Sequence, residues 1–362
     1  TPAFTPARIK TLFPVIEDVC TRLNDYVKTN NKDALEVREL CAKYATDVVS
    51  SSIFGVDAQS FTTEKPAIRE MGIKLMNPSF SAILYFILIE ILPFMHKIIK
   101  MPFVPKEVET FFVNLMRDAV ALRKKNKIER VDFLHYLLEL KEKKGLADVD
   151  IAAHAVTFFL DGFETSSVAM SYALYELARN PEVQDKLREE IRETEREHGK
   201  ITFEHLHEMP YLEQVMMETL RRRSPALLLS KKCTESCELE LIEGEKKTID
   251  KDMCIMIPIY SIHLDPLYYE NPLEFNPERF SPECGGTKFY REKGVFIPFG
   301  DGPRACLGQK FALTQVKAGI VDIIRNYQLF PNSKTQEPLL VAPGEFTSAP
   351  VGGLLLNFKE LS

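Results

Sequence analysis

Over most of the chain, apolar residues recur every three to four positions, a period that gathers them on one face of an α-helix. The spacing predicts helices over 7–29, 32–50, 106–123 and 131–143. A longer one runs from about Asp148 to Asn180. Pro181 closes it and opens a charged helix over 181–198 that Gly199 ends, since proline suits a first helical position and glycine a C-terminal cap. Further helices are expected over 210–223 and from about Leu307 to Tyr327. Strand-like patterning is confined to short pieces. Residues 228–258 read as short strands, with Gly244 at a hairpin turn and Met253–Ile257 as a buried strand, and residues 336–360 as a final hairpin. Pro-rich coil fills 266–298, and no repeat or low-complexity linker offers a boundary. The expected architecture is one mainly α domain, residues 1–362, with minor β-sheet.

Two segments depart from the amphipathic pattern. After Asn77-Pro78-Ser79, the run AILYFILIEILPF from Ala82 to Phe94 is almost entirely apolar. It falls short of the roughly 20 residues that span a bilayer, so it reads as a buried helix. The alternative is a helix lying at a membrane surface or lining an apolar pocket. The second segment is 148–180, about 50 Å long at 1.5 Å per residue. It is apolar on most faces between Val156 and Leu177, so it should cross the middle of the protein. Yet its centre holds Asp161, Gly162, Glu164, Thr165 and Ser166, poor choices for a purely structural core helix.

Composition narrows the class. The 362 residues are 45% hydrophobic and 27% charged, as in a globular protein, and a net charge of -6 gives no sign of a general nucleic-acid binder. Cysteines 20, 41, 233, 237, 254, 284 and 306 are too few and scattered for a disulfide framework, which fits a reducing compartment or the cytosolic side of a membrane. Neither a signal peptide nor a bilayer-spanning run is present, and TPAFTPARIK reads as if it begins partway through a domain.

Candidate chemistry centres on Cys306, which follows FGDGPRA and precedes a helix. Gly300, Gly302 and Gly308 allow tight turns and close approach of the backbone to a flat ligand. A thiolate at a helix N-terminus is favoured by the unpaired amides there, and Arg304 adds positive charge nearby. One isolated cysteine suits haem iron, whose in-plane ligands come from the macrocycle, whereas zinc or iron–sulfur sites need further ligands at motif spacing. By itself, a lone cysteine in a glycine-rich loop is more often inert. Cys233-x-x-x-Cys237 lacks a second ligand pair, and His205-x-His207 is expected in an exposed turn.

The longer pattern Phe299-x-x-Gly302-x-Arg304-x-Cys306-x-Gly308 resembles the haem-binding signature of the cytochrome P-450 family. Glu218-x-x-Arg221, Phe275-x-Pro277-Glu278-Arg279-Phe280 and His263-x-Asp265-Pro266 resemble that family's other motifs, in the same order. The likeness extends over essentially the whole chain and is nearest to the microsomal, drug- and toxin-metabolising type, particularly the insect forms. It implies the family fold, haem b as cofactor, Cys306 as axial iron ligand, and Phe299, Gly302, Arg304 and Gly308 around the haem. It implies a buried network of Glu218, Arg221 and Arg279; without Arg279, the first two read as a surface pair three residues apart. It also makes Glu164 and Thr165 the acid–alcohol pair that delivers protons during oxygen activation, with Gly162 relieving crowding against the macrocycle. The competing reading of Thr165 is a hydroxyl bonded to its own helix backbone.

By the same resemblance, the activity is insertion of one oxygen atom from O2 into small lipophilic substrates, xenobiotic or endogenous. Electrons would come from NADPH through a reductase, with cytochrome b5 as a second possible donor. The basic residues Arg291, Lys293, Arg304 and Lys310 cluster in sequence near the cysteine loop; such a cluster is usually a solvated face, and by the resemblance it also suits an acidic donor. The implied location is the cytosolic face of the endoplasmic reticulum membrane, with Ala82–Phe94 near the bilayer. Two departures stand out: Asp161 replaces the usual small residue, and Arg222-Arg223-Ser224-Pro225-Ala226 lacks the tyrosine and doubled proline common in relatives. The chain has no Trp to hold a haem propionate, and poor folding or haem binding by residues 1–362 alone is expected. A haem-thiolate isomerase or dehydratase, or an inactive haem- or lipid-binding homologue, are the rival readings. The first would not need the Glu164–Thr165 pair.

Overall fold

The computed structural model describes residues 4–76, 80–92, 94–102, 104–126, 132–241, 244–341 and 347–361. The periodic segments are helical: α1 (Pro6–Asn30), α2 (Val37–Ile53), α3 (Ala67–Met76), α4 (Phe80–Ile91), α5 (Met95–Ile98), α6 (Lys106–Asn126) and α7 (Phe133–Lys144). The long α8 (Asp148–Arg179) and α9 (Pro181–His198) follow, then α10 (Phe203–Glu208), α11 (Pro210–Arg222), α12 (Ile259–His263), α13 (Gly286–Glu292) and α14 (Gln309–Asn326). Among the described residues seven short strands accompany them: β1 (Leu35–Glu36), β2 (Leu229–Lys232), β3 (Cys237–Glu240), β4 (Lys246–Ile249), β5 (Cys254–Ile257), β6 (Tyr327–Pro331) and β7 (Leu355–Glu360). They form antiparallel sheets ordered β1-β7-β6, β2-β5 and β3-β4. The result is a mainly helical fold with a long central helix and minor sheets.

Central helix α8 is the organising element. Asp148 and Asp150 in its first turn oppose the helix dipole, and the Asp150 carboxylate accepts from the Ala147 amide at 2.9 Å. Its C-terminal half is buried, and it packs on α2, α6, α11 and α14. Helix α2 is itself buried along nearly its whole length, so each helix hides the other's apolar surface. Gln315 of α14 crosses to the middle of α8, donating to the Gly162 carbonyl at 3.2 Å and the Ser166 hydroxyl at 2.8 Å.

Several sequence expectations change. The helix expected over 32–50 begins only at Val37, because Leu35 and Glu36 pair with β7 and the Glu36 carboxylate caps the amides of Arg38 and Glu39. The apolar run from Ala82 is helical but not buried: Phe80 is 80% exposed, Ile87 52% and Ile91 70%. Helix α4 packs chiefly on the short α5, leaving its described apolar side chains facing outward. The interruption expected at Asn77-Pro78-Ser79 lies outside the described residues, as do Pro93 and the side chains of Ala82, Phe86 and Glu90.

The strand expected to be buried at Met253–Ile257 is β5, which pairs only with β2 and leaves Met253 and Met256 exposed. The expected hairpin over 336–360 is replaced by a single bridge between Val341 and Pro350, because β7 pairs instead with β6 and β1; residues 342–346 lie outside the described set. The turn expected at His205-x-His207 is helix α10, capped by Thr202, and His207 hydrogen-bonds Thr314 of α14 at 3.0 Å.

Candidate active site

A cavity of about 580 Å³ separates the centre of α8 from the loop that leads into α14. Its size lies within the roughly 300–1,000 Å³ typical of small-molecule and cofactor sites. The wall is mostly apolar, with Phe133, Phe158, Ala169, Leu220 and Val316 among its residues. Cys306, Phe299, Gly300, Arg304 and Gly308 border one side, and Asp161, Gly162, Thr165 and Ser166 the other.

The cysteine loop owes its shape to its glycines. Gly300 and Gly302 have φ of +67° and +73°, a region where an L side chain is strained. The turn is closed by the Gly300 amide on the Ile297 carbonyl at 3.0 Å and the Ala305 amide on the Gly302 carbonyl at 3.1 Å. The Cys306 amide then donates to the Phe299 carbonyl at 2.8 Å, drawing the two ends of the loop together. Cys306 is thereby set at the N-terminus of α14. Burial pushes its thiol pKa up and the Asp161 carboxylate adds to the rise, while the amides of Gly308 and Gln309 pull it down. The sequence suggested help from Arg304; the helix-terminal amides supply the stabilisation instead.

On α8, the polar residues split into two groups. Glu164 turns away from the cavity and pairs with Arg38 of α2 at 3.1 Å, while Thr347, a cavity residue, donates to the same Glu164 oxygen at 3.3 Å. Thr165 borders the cavity, but its hydroxyl donates to the Asp161 carbonyl at 2.6 Å, the back-bonded geometry open to a helical threonine. The missing Cβ of Gly162 would stand 3.3 Å from the Val49 side chain, so this glycine serves the close approach of α2 to α8, and it also borders the cavity. Asp161 also borders the cavity, and burial alone pushes its carboxyl up. Arg38 and Thr347 were absent from the sequence reading, since neither lies near the α8 motif in the chain.

Behind the cysteine loop lies a buried charge network. Glu218 and Arg221 are 0% exposed and form a two-pronged pair, Nε to Oε2 at 2.7 Å and Nη2 to Oε1 at 2.8 Å. Arg221 also donates to the carbonyls of His263, Pro272 and Glu274, and stacks its guanidinium over Tyr269. Glu218 accepts from the Asn276 amide at 3.0 Å, and Arg279 stands 3.6 Å from the same carboxylate. His263 accepts the Ile297 amide on Nε2 at 3.0 Å; burial, reinforced by the Arg221 charge, pushes its pKa down to about 4. The atypical Arg222 and Arg223 both pair with buried Glu176 of α8, at 2.7 and 3.0 Å.

The residues present fit a haem. No Cβ fills the space beside Gly302 and Gly308, the wall is apolar, and one thiol faces the cavity with helix amides behind it. Among the described residues no cluster of three or more His, Cys, Asp or Glu could hold a metal, so an iron held by Cys306 would take its in-plane ligands from the macrocycle. Arg291, Lys293, Arg304 and Lys310 are all exposed. No helix among the described residues is long and apolar enough to cross a membrane.

Comparison with known proteins agrees with this geometry. A family profile described as Cytochrome P-450 matches residues 1–356. Probable cytochrome P-450 28d2 of Drosophila melanogaster is 38% identical over 366 residues, covering 99% of this chain and 72% of that protein. Cytochrome P-450 6a2 of the same organism is 34% identical over 379 residues, covering 100% of this chain and 74% of its own length. Cytochrome P-450 6A1 of Musca domestica is 33% identical over 371 residues, covering 99% and 72%.

Proposed function

Because this chain belongs to the cytochrome P-450 family, whose members are monooxygenases built on haem b, we propose that it oxygenates small lipophilic molecules, xenobiotic or endogenous, as a microsomal detoxification enzyme of the insect type. One observation carries the assignment to these residues: the Cys306 thiol, backed by the amides that open α14, shares an apolar cavity with the Asp161–Ser166 face of α8.

Bound haem supplies the activation of O2 and the oxidising power. The remaining work belongs to the chain. Cys306 would hold the haem iron through its sulfur, where the Gly308 and Gln309 amides would stabilise negative charge. Phe299, Arg304 and Gly308 form the ligand side of the pocket, while Gly302, outside the cavity lining, shapes the loop between them. On the opposite side, the Thr165 hydroxyl is the proton-holding group at the cavity surface, and rotating it off the Asp161 carbonyl aims it into the cavity. Glu164 lies behind it as the carboxylate end of a proton route, its Oε1 linked to the cavity through Thr347. The apolar wall excludes bulk water from the reacting bond. Electrons originating in NADPH arrive from a reductase, or from cytochrome b5, docked on the exposed face of Arg291, Lys293, Arg304 and Lys310. The outward apolar face of α4 supports contact with the cytosolic side of the endoplasmic reticulum membrane.

The carbon monoxide difference spectrum of the reduced protein tests the ligand. A thiolate-type band lost in Cys306→Ser, together with substrate-dependent NADPH consumption in the presence of reductase, supports the reading. An unchanged band in Cys306→Ser, or a thiolate band without any turnover, overturns it.

A further inference from the structure

Oxygenation at the cavity makes no use of Cys233-x-x-x-Cys237, the turn that links β2 to β3. The Cys233 backbone is held by two hydrogen bonds to the opposite strand. Its amide donates to the Met253 carbonyl at 2.9 Å, and its carbonyl accepts from the Asp252 amide at 2.8 Å. Cys237 opens β3 and stands directly across from Ile249 of β4 in the antiparallel register. Between the two cysteines, the Ser236 hydroxyl accepts from the Lys251 amide at 2.9 Å. The turn is therefore clamped onto residues 249–253 at both ends and near its middle, so the fold sets the separation of its cysteines.

The two thiols meet within that clamp. The Cys233 thiol points at the carbonyl of Glu235 at 3.0 Å and reaches that of Ile249, the residue across from Cys237, at 3.8 Å. The Cys237 thiol pKa is pushed up by desolvation and then by the charge and hydrogen bonding of Cys233, influences that need the two sulfurs close together. Both cysteines are reduced; Cys237 is exposed and Cys233 half-buried, so a small soluble reagent can reach the pair. Other thiols have different neighbours: buried Cys20 meets the Tyr44 hydroxyl at 3.6 Å, and exposed Cys254 the Ser230 hydroxyl at 3.0 Å. Among the described residues no further His, Cys, Asp or Glu joins Cys233 and Cys237 in a group that could hold a metal ion. Thiol–disulfide exchange is the chemistry left to two adjacent, accessible thiols.

We propose that Cys233 and Cys237 are a redox modification site, a dithiol that closes to an intrachain disulfide by exchange with a low-molecular-weight disulfide such as glutathione disulfide. The thiolate of one cysteine attacks the S–S bond of the reagent; a mixed disulfide forms and one reagent thiolate leaves. The second cysteine, deprotonated in turn, attacks the sulfur of the first; the intrachain S–S bond forms and the second reagent thiolate leaves. Two electrons pass from the protein thiols to the reagent, which departs as two thiols carrying the two protons. The clamped turn makes the second step intramolecular, at a high effective concentration. An exposed disulfide belongs to the readily reduced class, so an excess of the reagent's thiol reopens it.

The haem-loaded full chain tests this after equilibration in glutathione buffers of graded composition. Alkylation of the remaining thiols, digestion and mass spectrometry of the peptides then locate each disulfide. The expected wild-type product is a Cys233–Cys237 bond that excess glutathione reopens, while Cys254 and Cys284, both exposed, carry glutathione singly. In Cys233→Ser the mixed disulfide should accumulate on Cys237, and in Cys237→Ser on Cys233, at least about tenfold above the wild-type level, because the resolving thiol is gone. The native fold should also favour the intrachain bond at least about tenfold over the urea-unfolded chain, equivalent to about 1.4 kcal/mol. This wild-type comparison stands by itself if a serine variant misfolds. Glutathione held singly on both cysteines of the wild type, a bond from either one to Cys254, or a bond no more favoured in the native than in the unfolded chain overturns the proposal.

Discussion

Two carboxylates near the cavity are handled in opposite ways. Glu218, behind the cysteine loop, is wholly buried and meets Arg221 through two short contacts, with the Asn276 amide as a third donor. Asp161, on the central helix, faces the cavity with no described partner. The same functional group is a fixed part of the scaffold in one place and an open valence in the other. A paired buried charge holds segments together: Glu218 and Arg221 join α11 to the carbonyls of 263, 272 and 274. An exposed, unpaired one joins no segments and keeps its solvation.

The widest gap between the two sides should appear on removing Arg221. Arg221→Ala leaves Glu218 as an uncompensated buried charge, and the expected loss is about 3–5 kcal/mol with loss of haem-loaded protein. Urea unfolding and haem content measure it, and a variant within about 1 kcal/mol of wild type would erase the distinction. Acid should find the same side next. The folded pKa of His263 is about 4, below its ordinary value near 6.5, so the unfolded state takes up the proton first as pH falls. Stability is then full above about pH 6.5 and declines by about 3 kcal/mol on the way to about pH 4. Unfolding curves across that window check the slope, which His263→Gln should flatten.

The distal side should respond in rate and not in stability. Thr165→Val is expected to lower product formed per NADPH by at least about tenfold while the unfolding midpoint stays put. Product yield and NADPH use measured together decide this, and a matching loss of folded protein would make Thr165 structural. Smallest of all, Asp161→Asn should leave stability unchanged or raise it by up to about 1 kcal/mol, since the charge it removes has no partner and is partly screened by the open cavity. A clear destabilisation would reveal a hidden partner and collapse the comparison.

Legibility followed the range of the interactions. Helix 181–198 has the ends read from the sequence because Pro181 and Gly199, at φ +77°, punctuate it locally. The cysteine loop was readable for the same reason: its glycines, its cysteine and the helix after it are contiguous. The outward apolar face of α4 and the exposure of Met253 and Met256 were not readable, because hydrophobicity reports a tendency to be covered and not what covers it. The start of α2 shifted because β1 pairs with a strand more than 300 residues away. In the sequence Arg222 and Arg223 were only part of a departure from the relatives' pattern, and they proved to be the partners of Glu176, 46 and 47 residues earlier.

By itself, the sequence determined the helical class, the long central helix, the ordered set of motifs that points to the family, and the candidate ligand Cys306. Each is written in periodicity or in residues close along the chain. Only the tertiary structure decided which acids are paired. Glu164 meets Arg38 and Thr347 across separations of 126 and 183 residues, and Asp161 meets no described partner. A side chain's charge is local information, but its solvation and its counter-charge depend on what the fold brings within a few ångströms.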